Sequence, residues 1–185
     1  MKRLAIFASG SGSNFEAIVE AWRAGELRAE PAVCVCDVPG AGVIARANRL
    51  GVPVIVASPR DFPSKAAYEE FLADRLDELE ISLVCLAGYM RLIGPALLGR
   101  YGGRIINIHP SLLPAFKGAH AIRDAFQYGV KVFGVTIHYV DETLDGGKII
   151  AQEAFPYDGD DIARLETMIH AVEHKLYPLT INRLI

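Results

Sequence analysis

The sequence predicts an α/β protein, a doubly wound and mostly parallel sheet with an antiparallel hairpin and a last helix added at its C-terminal side. Three observations predict it. Apolar runs of strand length alternate with stretches of helical spacing over the first two thirds of the chain, which is how parallel sheets acquire helices on both faces. Two further apolar runs then follow, joined only by Asp141-Glu142-Thr143-Leu144-Asp145-Gly146-Gly147; so short a connection makes a hairpin, since a crossover needs a dozen residues or more. Finally, 185 residues of which 51% are hydrophobic fill one core amply and leave little for a second, so residues 1–185 are expected to form one domain.

Each element has its own signal. Lys2 to Ser9 is an apolar run that ends in small residues and serves as the first strand. After Gly10 to Asn14, the residues Phe15, Ile18, Val19 and Trp22 recur on one helical face. Ala32 to Asp37 is a second strand, and the helix around Val43 to Leu50 is ended by Gly51. Pro53 to Ser58 is a third strand, and Ser64 to Leu79 is a long helix with Ser64 as its N-cap. Leu83 to Gly88 is the fourth strand, running into Tyr89 to Ile93, and a short helix spans Pro95 to Arg100. The fifth strand, Arg104 to His109, stops at Pro110, while Pro114 keeps helix out until Gly118 is passed. A helix over Ala119 to Tyr128, strands at Val132 to Val140 and Lys148 to Phe155, and a helix from Asp160 to Arg183 complete the chain. The last helix carries Ile162, Leu165, Ile169, Val172 and Leu176 on its apolar face. No repeat, low-complexity segment or linker interrupts this order.

Charge and cysteine content narrow the function classes. A formal net charge of -3 with no basic run argues against a large nucleic-acid footprint, though not against a small phosphorylated ligand. No apolar stretch approaches membrane length, and the run after Met1 is too brief for a signal peptide. Cys34, Cys36 and Cys85 sit in strand-like runs without zinc spacing, so reduced thiols in a cytoplasmic protein are expected, and no metal.

Three stretches carry chemistry. Gly10-Ser11-Gly12-Ser13-Asn14 joins a strand to a helix and offers backbone N–H groups and short side-chain donors to a phosphate. Phe15 occupies the place of the last glycine of a dinucleotide fingerprint. Asp37, at the end of the second strand, keeps NAD binding as a minority alternative. In Ile105-Ile106-Asn107-Ile108-His109, Asn107 and His109 share one face of a strand at its C-terminal end, where open α/β sheets bind ligands. Asp145 precedes Gly146-Gly147, which permit positive φ and a sharp fold-back. If the hairpin returns over the strand ends, Asp145 approaches His109, and a carboxylate beside an imidazole favours the imidazolium. Such a trio suits acyl transfer through a tetrahedral intermediate. No activated nucleophile accompanies it: G-x-S-x-G is absent and Ser111 lacks the elbow context. Direct attack by a substrate amine therefore fits better than an acyl-enzyme. His120 and His138 have weaker cases, and His138 reads as a structural histidine near the site. His170 and Glu173 lie one turn apart on the last helix, a spacing whose commonest fate is surface decoration.

With SGSGSN, AGYMRLI, INIHPSLLPAFKG and LDGG in this order, the chain resembles the folate-dependent formyltransferases over essentially its whole length. The resemblance implies the Rossmann-like fold of that family. SGSGSN narrows it to the branch that passes the formyl group of 10-formyltetrahydrofolate to the amine of glycinamide ribonucleotide in purine biosynthesis. On this resemblance Asn107, His109 and Asp145 are catalytic, and Gly12, Ser13 and Asn14 hold the ribonucleotide phosphate. Met90, Arg91, Leu92 and Ile93, with Asn107, line the folate pocket, and Lys65 serves the folate glutamates. Glu173 contacts the substrate, and His170 lies where it can reach the phosphate. PYDGDDIARLE departs from the family's usual acidic-threonine helix start. The methionyl-tRNA branch should add an RNA-binding domain and basic surface, and the formyltetrahydrofolate hydrolases a regulatory domain; neither is expected here. A noncatalytic nucleotide- or NAD-binding module is the alternative of a different class. The oligomeric state is left open, with a homodimer among the candidates.

Overall fold

In the computed structural model, which describes residues 1–185, the elements follow as β1 (Arg3–Ala8), α1 (Ser13–Arg23), β2 (Glu30–Cys36), α2 (Gly42–Arg49), β3 (Val54–Val56), α3 (Lys65–Glu78), β4 (Leu83–Leu86), α4 (Pro95–Tyr101), β5 (Ile105–His109), α5 (Ala121–Tyr128), β6 (Val132–Tyr139), β7 (Ile149–Pro156) and α6 (Ile162–Leu184). They build one seven-stranded sheet in the order β3-β2-β1-β4-β5-β6-β7. The first five of these strands run parallel, and β6 and β7 are added antiparallel.

Side-chain alternation divides the core in two. In β1, Leu4, Ile6 and Ala8 pack with α1, α2, α5 and α6, whereas Ala5 and Phe7 pack with α3 and α4. Both sets are fully buried, so the strand reads as an unbroken apolar run, as a strand covered on both faces must. The same alternation in β5 sends Ile106 and Ile108 to the first layer and Ile105 to the second. Asn107 and His109 therefore extend the Ile105 face beyond the packed core. Antiparallel pairing sets His138 directly across from Asn107, and Thr136 across from His109.

Chain order reverses between β1 and β4, which lie side by side although two strands and three helices separate them in sequence. At such a switch point the loops after the two strands turn to opposite sides and open a crevice. The glycine-rich loop leaves β1 here, and the segment through Ile93 leaves β4 here.

Several expectations need adjustment. β3 is only Val54–Val56, shorter than Pro53 to Ser58, because Pro59–Asp61 form a 3-10 turn just beyond it. α5 starts at Ala121, two residues later than expected. α6 starts at Ile162, two residues later than expected, and runs through Pro178 to Leu184, within one residue of the expected end; burial of Leu176, Tyr177, Thr180 and Ile181 against the core outweighs the lost backbone hydrogen bond. The residue with positive φ in the hairpin loop is Asp145 itself, at φ 49°, and not Gly146 or Gly147. The glycines serve close approach instead: a Cβ on Gly147 would lie 1.8 Å from the Tyr139 carbonyl oxygen. Asp tolerates the left-handed region better than most residues.

Candidate active site

The crevice deepens into a cavity of about 240 Å³ bounded by the β4–α4 segment, the end of β5, and the β6–β7 loop. Asn107, His109, His138 and Asp145 line it together with Met90, Arg91, Leu92, Ile93, Val140 and Leu144.

His109 is buried. Its Nε2 donates to the Phe116 carbonyl oxygen at 2.8 Å; a carbonyl only accepts, so this bond settles which nitrogen carries the permanent hydrogen. Phe116 holds φ at 53° to present that carbonyl, a conformation costing an L residue roughly 1–2 kcal/mol. The other nitrogen, Nδ1, faces Asp145 Oδ2 at 3.7 Å. That is an ion-pair distance, too long for a hydrogen bond. Asp145 Oδ2 is itself fixed by the Gly118 N–H at 2.8 Å. The hairpin loop thus folds back over the strand ends, and the carboxylate stands beside the imidazole.

Asn107 is held from across the strand pair. His138 donates from Nδ1 to the Tyr139 carbonyl oxygen at 2.8 Å, which leaves Nε2 as an acceptor for Asn107 Nδ2 at 3.2 Å. Burial pulls His138 below the ordinary histidine value, so the ring stays neutral and keeps that acceptor. The amide is thereby oriented, with its second Nδ2 hydrogen left for a ligand. Sequence reasoning placed His138 near the site without this task, because the task depends on the β5–β6 register.

The glycine-rich loop presents unpaired backbone donors at the start of α1. None of the N–H groups of Ser11, Gly12, Ser13 and Asn14 has a protein partner, and they sit at the positive end of α1. Gly12 has φ 81° and lies so close to α2 that a Cβ would be 2.5 Å from Val43 Cγ2 and 2.9 Å from its Cα. Arg46 donates to the Ser11 carbonyl oxygen at 2.7 Å and pairs with Glu16, as does Arg49. No sequence signal marked Arg46, since only the docking of α2 brings it to the loop. Gly12→Ala is expected to cost about 1–3 kcal/mol in backbone strain and to lower Tm by roughly 2–10 °C, read by calorimetry.

On α6, Glu173 is buried and accepts from Asn14 Nδ2 at 3.2 Å and from His170 Nδ1 at 2.8 Å. The hydrogen bond to Glu173 holds His170 above the ordinary histidine value. This pair is built into the loop's surroundings and is no surface decoration. Asn14 Oδ1 is buried without a partner.

A family model described as "Formyl transferase" matches residues 2–181. The chain belongs to the formyl transferase family. It is 51% identical to the phosphoribosylglycinamide formyltransferase of Bacillus subtilis (strain 168), covering 100% of this chain and 95% of that protein. It is 35% identical to the human trifunctional purine biosynthetic protein adenosine-3 over 97% of this chain, which is 18% of that longer protein. Among solved structures, glycinamide ribonucleotide transformylase 1 from Geobacillus kaustophilus superposes with a TM-score of 0.96 at 56% identity, covering 100% of this chain and 98% of the other.

Within this formyl transferase the expected residues fall into two groups and one outlier. Asn107, His109, Asp145 and Met90 to Ile93 share the cavity, while Gly12, Ser13, Asn14, His170 and Glu173 gather around the glycine-rich loop. Lys65 does neither. It does not line the cavity, and its Nζ lies 3.9 Å from Glu69 Oε1 on the same helix; helical spacing of four residues favours that pair over a longer reach. Asp37, considered for a ribose, is also committed: Ser9 Oγ donates to Oδ1 at 2.5 Å and Arg91 Nε to Oδ2 at 2.5 Å. With both oxygens engaged and the residue buried, Asp37 presents no accessible oxygen to a ribose hydroxyl, and the NAD alternative loses its anchor. The thiols offer no nucleophile either, since burial raises Cys34 to about 12 and also raises Cys36 and Cys85. No helix is long and apolar enough to cross a membrane.

Proposed function

We propose that this formyl transferase passes the formyl group of 10-formyltetrahydrofolate to the amine of glycinamide ribonucleotide, with Asn107, His109 and Asp145 as its catalytic residues. The observation that carries the reading is the meeting of an oriented amide donor, an imidazole and a carboxylate in one cavity, beside a cradle of free backbone N–H groups at the neighbouring strand end. The family match and the names of the similar proteins supply the reaction class.

The cavity also fits a folate ring. At about 240 Å³ it is smaller than the ~300–1,000 Å³ typical for a whole drug-sized ligand, so a long ligand puts one ring system inside and its tail outside. The backbone N–H and C=O groups of Arg91, Leu92 and Ile93 have no protein partner, and they supply the donors and acceptors a pterin edge needs. Met90, Leu92 and Leu144 are exposed apolar side chains around the same opening, which a flat apolar group would cover.

As the ribonucleotide amine adds to the formyl carbon, Asn107 Nδ2 and protonated His109 Nδ1 meet the charge that develops on the formyl oxygen. His109 then gives its proton to the departing nitrogen and takes up the proton shed by the amine. The net change is one new C–N bond, one broken C–N bond, and one proton moved between the two nitrogens. Asp145 stabilises the imidazolium through both halves. The cradle of Gly12, Ser13 and Asn14 fixes the phosphate of the acceptor, Glu173 contacts the substrate, and His170 adds positive charge. Lys65, which opens α3 beside Gly94, meets the folate glutamates by turning away from Glu69. Cytoplasmic residence belongs to the same proposal, supported by three buried free thiols.

Purified protein given both substrates should form formylglycinamide ribonucleotide and tetrahydrofolate; no turnover with either substrate in excess ends the proposal. The His170 role has its own signature. Its value is raised in the folded protein, so its charge is fully present below the ordinary histidine range, near 6.5, and is lost as pH climbs through the raised value. KM for the ribonucleotide should therefore increase with pH above about 6.5, and His170→Asn should flatten that increase. An unchanged profile in the variant removes His170 from the site.

A further inference from the structure

The β4–α4 segment poses a physical problem. From Ala87 to Gly94 it has no regular secondary structure, and the backbone groups of Arg91, Leu92 and Ile93 bond to nothing in the protein. A stretch that keeps its own donors and acceptors unpaired has no ladder to hold its shape, yet a ligand that pairs with them needs that shape in advance. We infer that two buried carboxylates, Asp37 and Glu69, are positioning residues that pin the two ends of this segment and so preorganise it for the folate ring.

At the N-terminal end the pin runs through Ser9 and Asp37. Ser9 Oγ accepts the Met90 N–H at 2.9 Å and donates to Asp37 Oδ1 at 2.5 Å, while Asp37 Oδ2 accepts from Arg91 Nε at 2.5 Å. Ser9 follows the central strand β1 and Asp37 follows β2, so both stand on the rigid sheet. At the C-terminal end Glu69, on α3, accepts the Gly94 N–H at 2.6 Å through Oε1 and the Leu97 N–H at 3.2 Å through Oε2. Each carboxylate is 3% exposed. Removing two charges from water is unfavourable, and a chain stabilised merely by packing would place apolar residues there. What both carboxylates share is that they grip backbone or side chain of the one segment whose middle is left free.

Arg91 points the same way. An arginine serving a structural ion pair would engage its fork of donors in a bidentate contact. Here only Nε meets Asp37, neither Nη bonds to the protein, and the side chain is 43% exposed at the cavity. Asp37 thus holds the guanidinium still while leaving its outer donors to the ligand side.

The inference rests on the formyl-transfer reading for its kinetic arm, and a second arm is independent of it. Asp37→Asn and Glu69→Gln keep the size of each side chain and remove its charge. Each is expected to raise KM for the folate by roughly tenfold, the usual weight of a hydrogen bond to a charged group, with kcat and the ribonucleotide KM changed by less than about threefold. Hydrogen exchange, followed by mass spectrometry on the full chain without substrates, should become faster over residues 88–94 and stay unchanged in β1. Wild-type protein that shows no turnover defeats the formyl-transfer reading and leaves the exchange result to judge the pins. Active wild-type protein with an unchanged folate KM in both variants overturns the inference. So does a fall in kcat at constant KM, or a loss of Tm with unaltered KM and exchange. If one carboxylate variant does not fold, Ser9→Ala takes its place, since it removes the Met90 acceptor without leaving a buried charge unpaired by Arg91.

Discussion

Replacing His109 by alanine is expected to lower kcat for formyl transfer by roughly 10²–10⁴, the range for a positioned acid–base group, with KM for both substrates changed little. The imidazole has no substitute nearby. His138 is held neutral by burial and spends both nitrogens on Tyr139 and Asn107, and the other ionisable group in reach, Asp145, has its Oδ2 occupied by the Gly118 N–H. The wall itself should survive the change. Truncation leaves a cavity and frees the Phe116 carbonyl, a loss that shows as a few degrees in Tm, while the chemistry loses its proton donor altogether. Single-turnover measurements with both substrates saturating separate the two effects, and wild-type turnover would show that His109 is not the acid.

Asp145→Asn is expected to act through charge alone. Asparagine fills the same volume and can still accept from the Gly118 N–H, so the loop should keep its shape. What disappears is a negative charge 3.7 Å from His109 Nδ1, between side chains only 6% and 12% exposed. A fall of about 10²–10⁴ in kcat with little change in KM is the expected result. A variant that loses less than about tenfold would mean that the charge is spent on holding the loop and not on the imidazolium.

The two predictions draw on different levels of legibility. Asn107 and His109 could be paired from sequence because residues two apart on a strand share a face whatever surrounds them. Asp145 could be brought to them only by supposing that the hairpin folds back. The fold-back holds, but the residue that makes the bend is Asp145 itself, with Gly147 admitting the Tyr139 carbonyl. Lys65 shows the opposite case. Only the family resemblance assigned it to the folate glutamates, and in the structure its Nζ stands 3.9 Å from Glu69, one turn along α3. Asp37 looked like a ribose ligand because it ends the second strand, and only the approach of Arg91, 54 residues later in the chain, reveals that it is already taken.

What the sequence determined by itself is everything governed by short range. Hydrophobic period, capping residues and prolines marked the strands and helices, the strand–helix alternation dictated a parallel sheet, and Gly10 to Asn14 announced a tight turn from strand into helix, because these depend on dihedral preferences and on neighbours within a turn. What only the tertiary structure decided is which groups remain free. His138 as the holder of Asn107, Arg46 behind the glycine-rich loop, and Asp37 and Glu69 at the ends of the β4–α4 segment all depend on strand register and helix docking. Those are set by burial of whole faces against one another, and no local pattern encodes which polar atom such packing leaves without a partner.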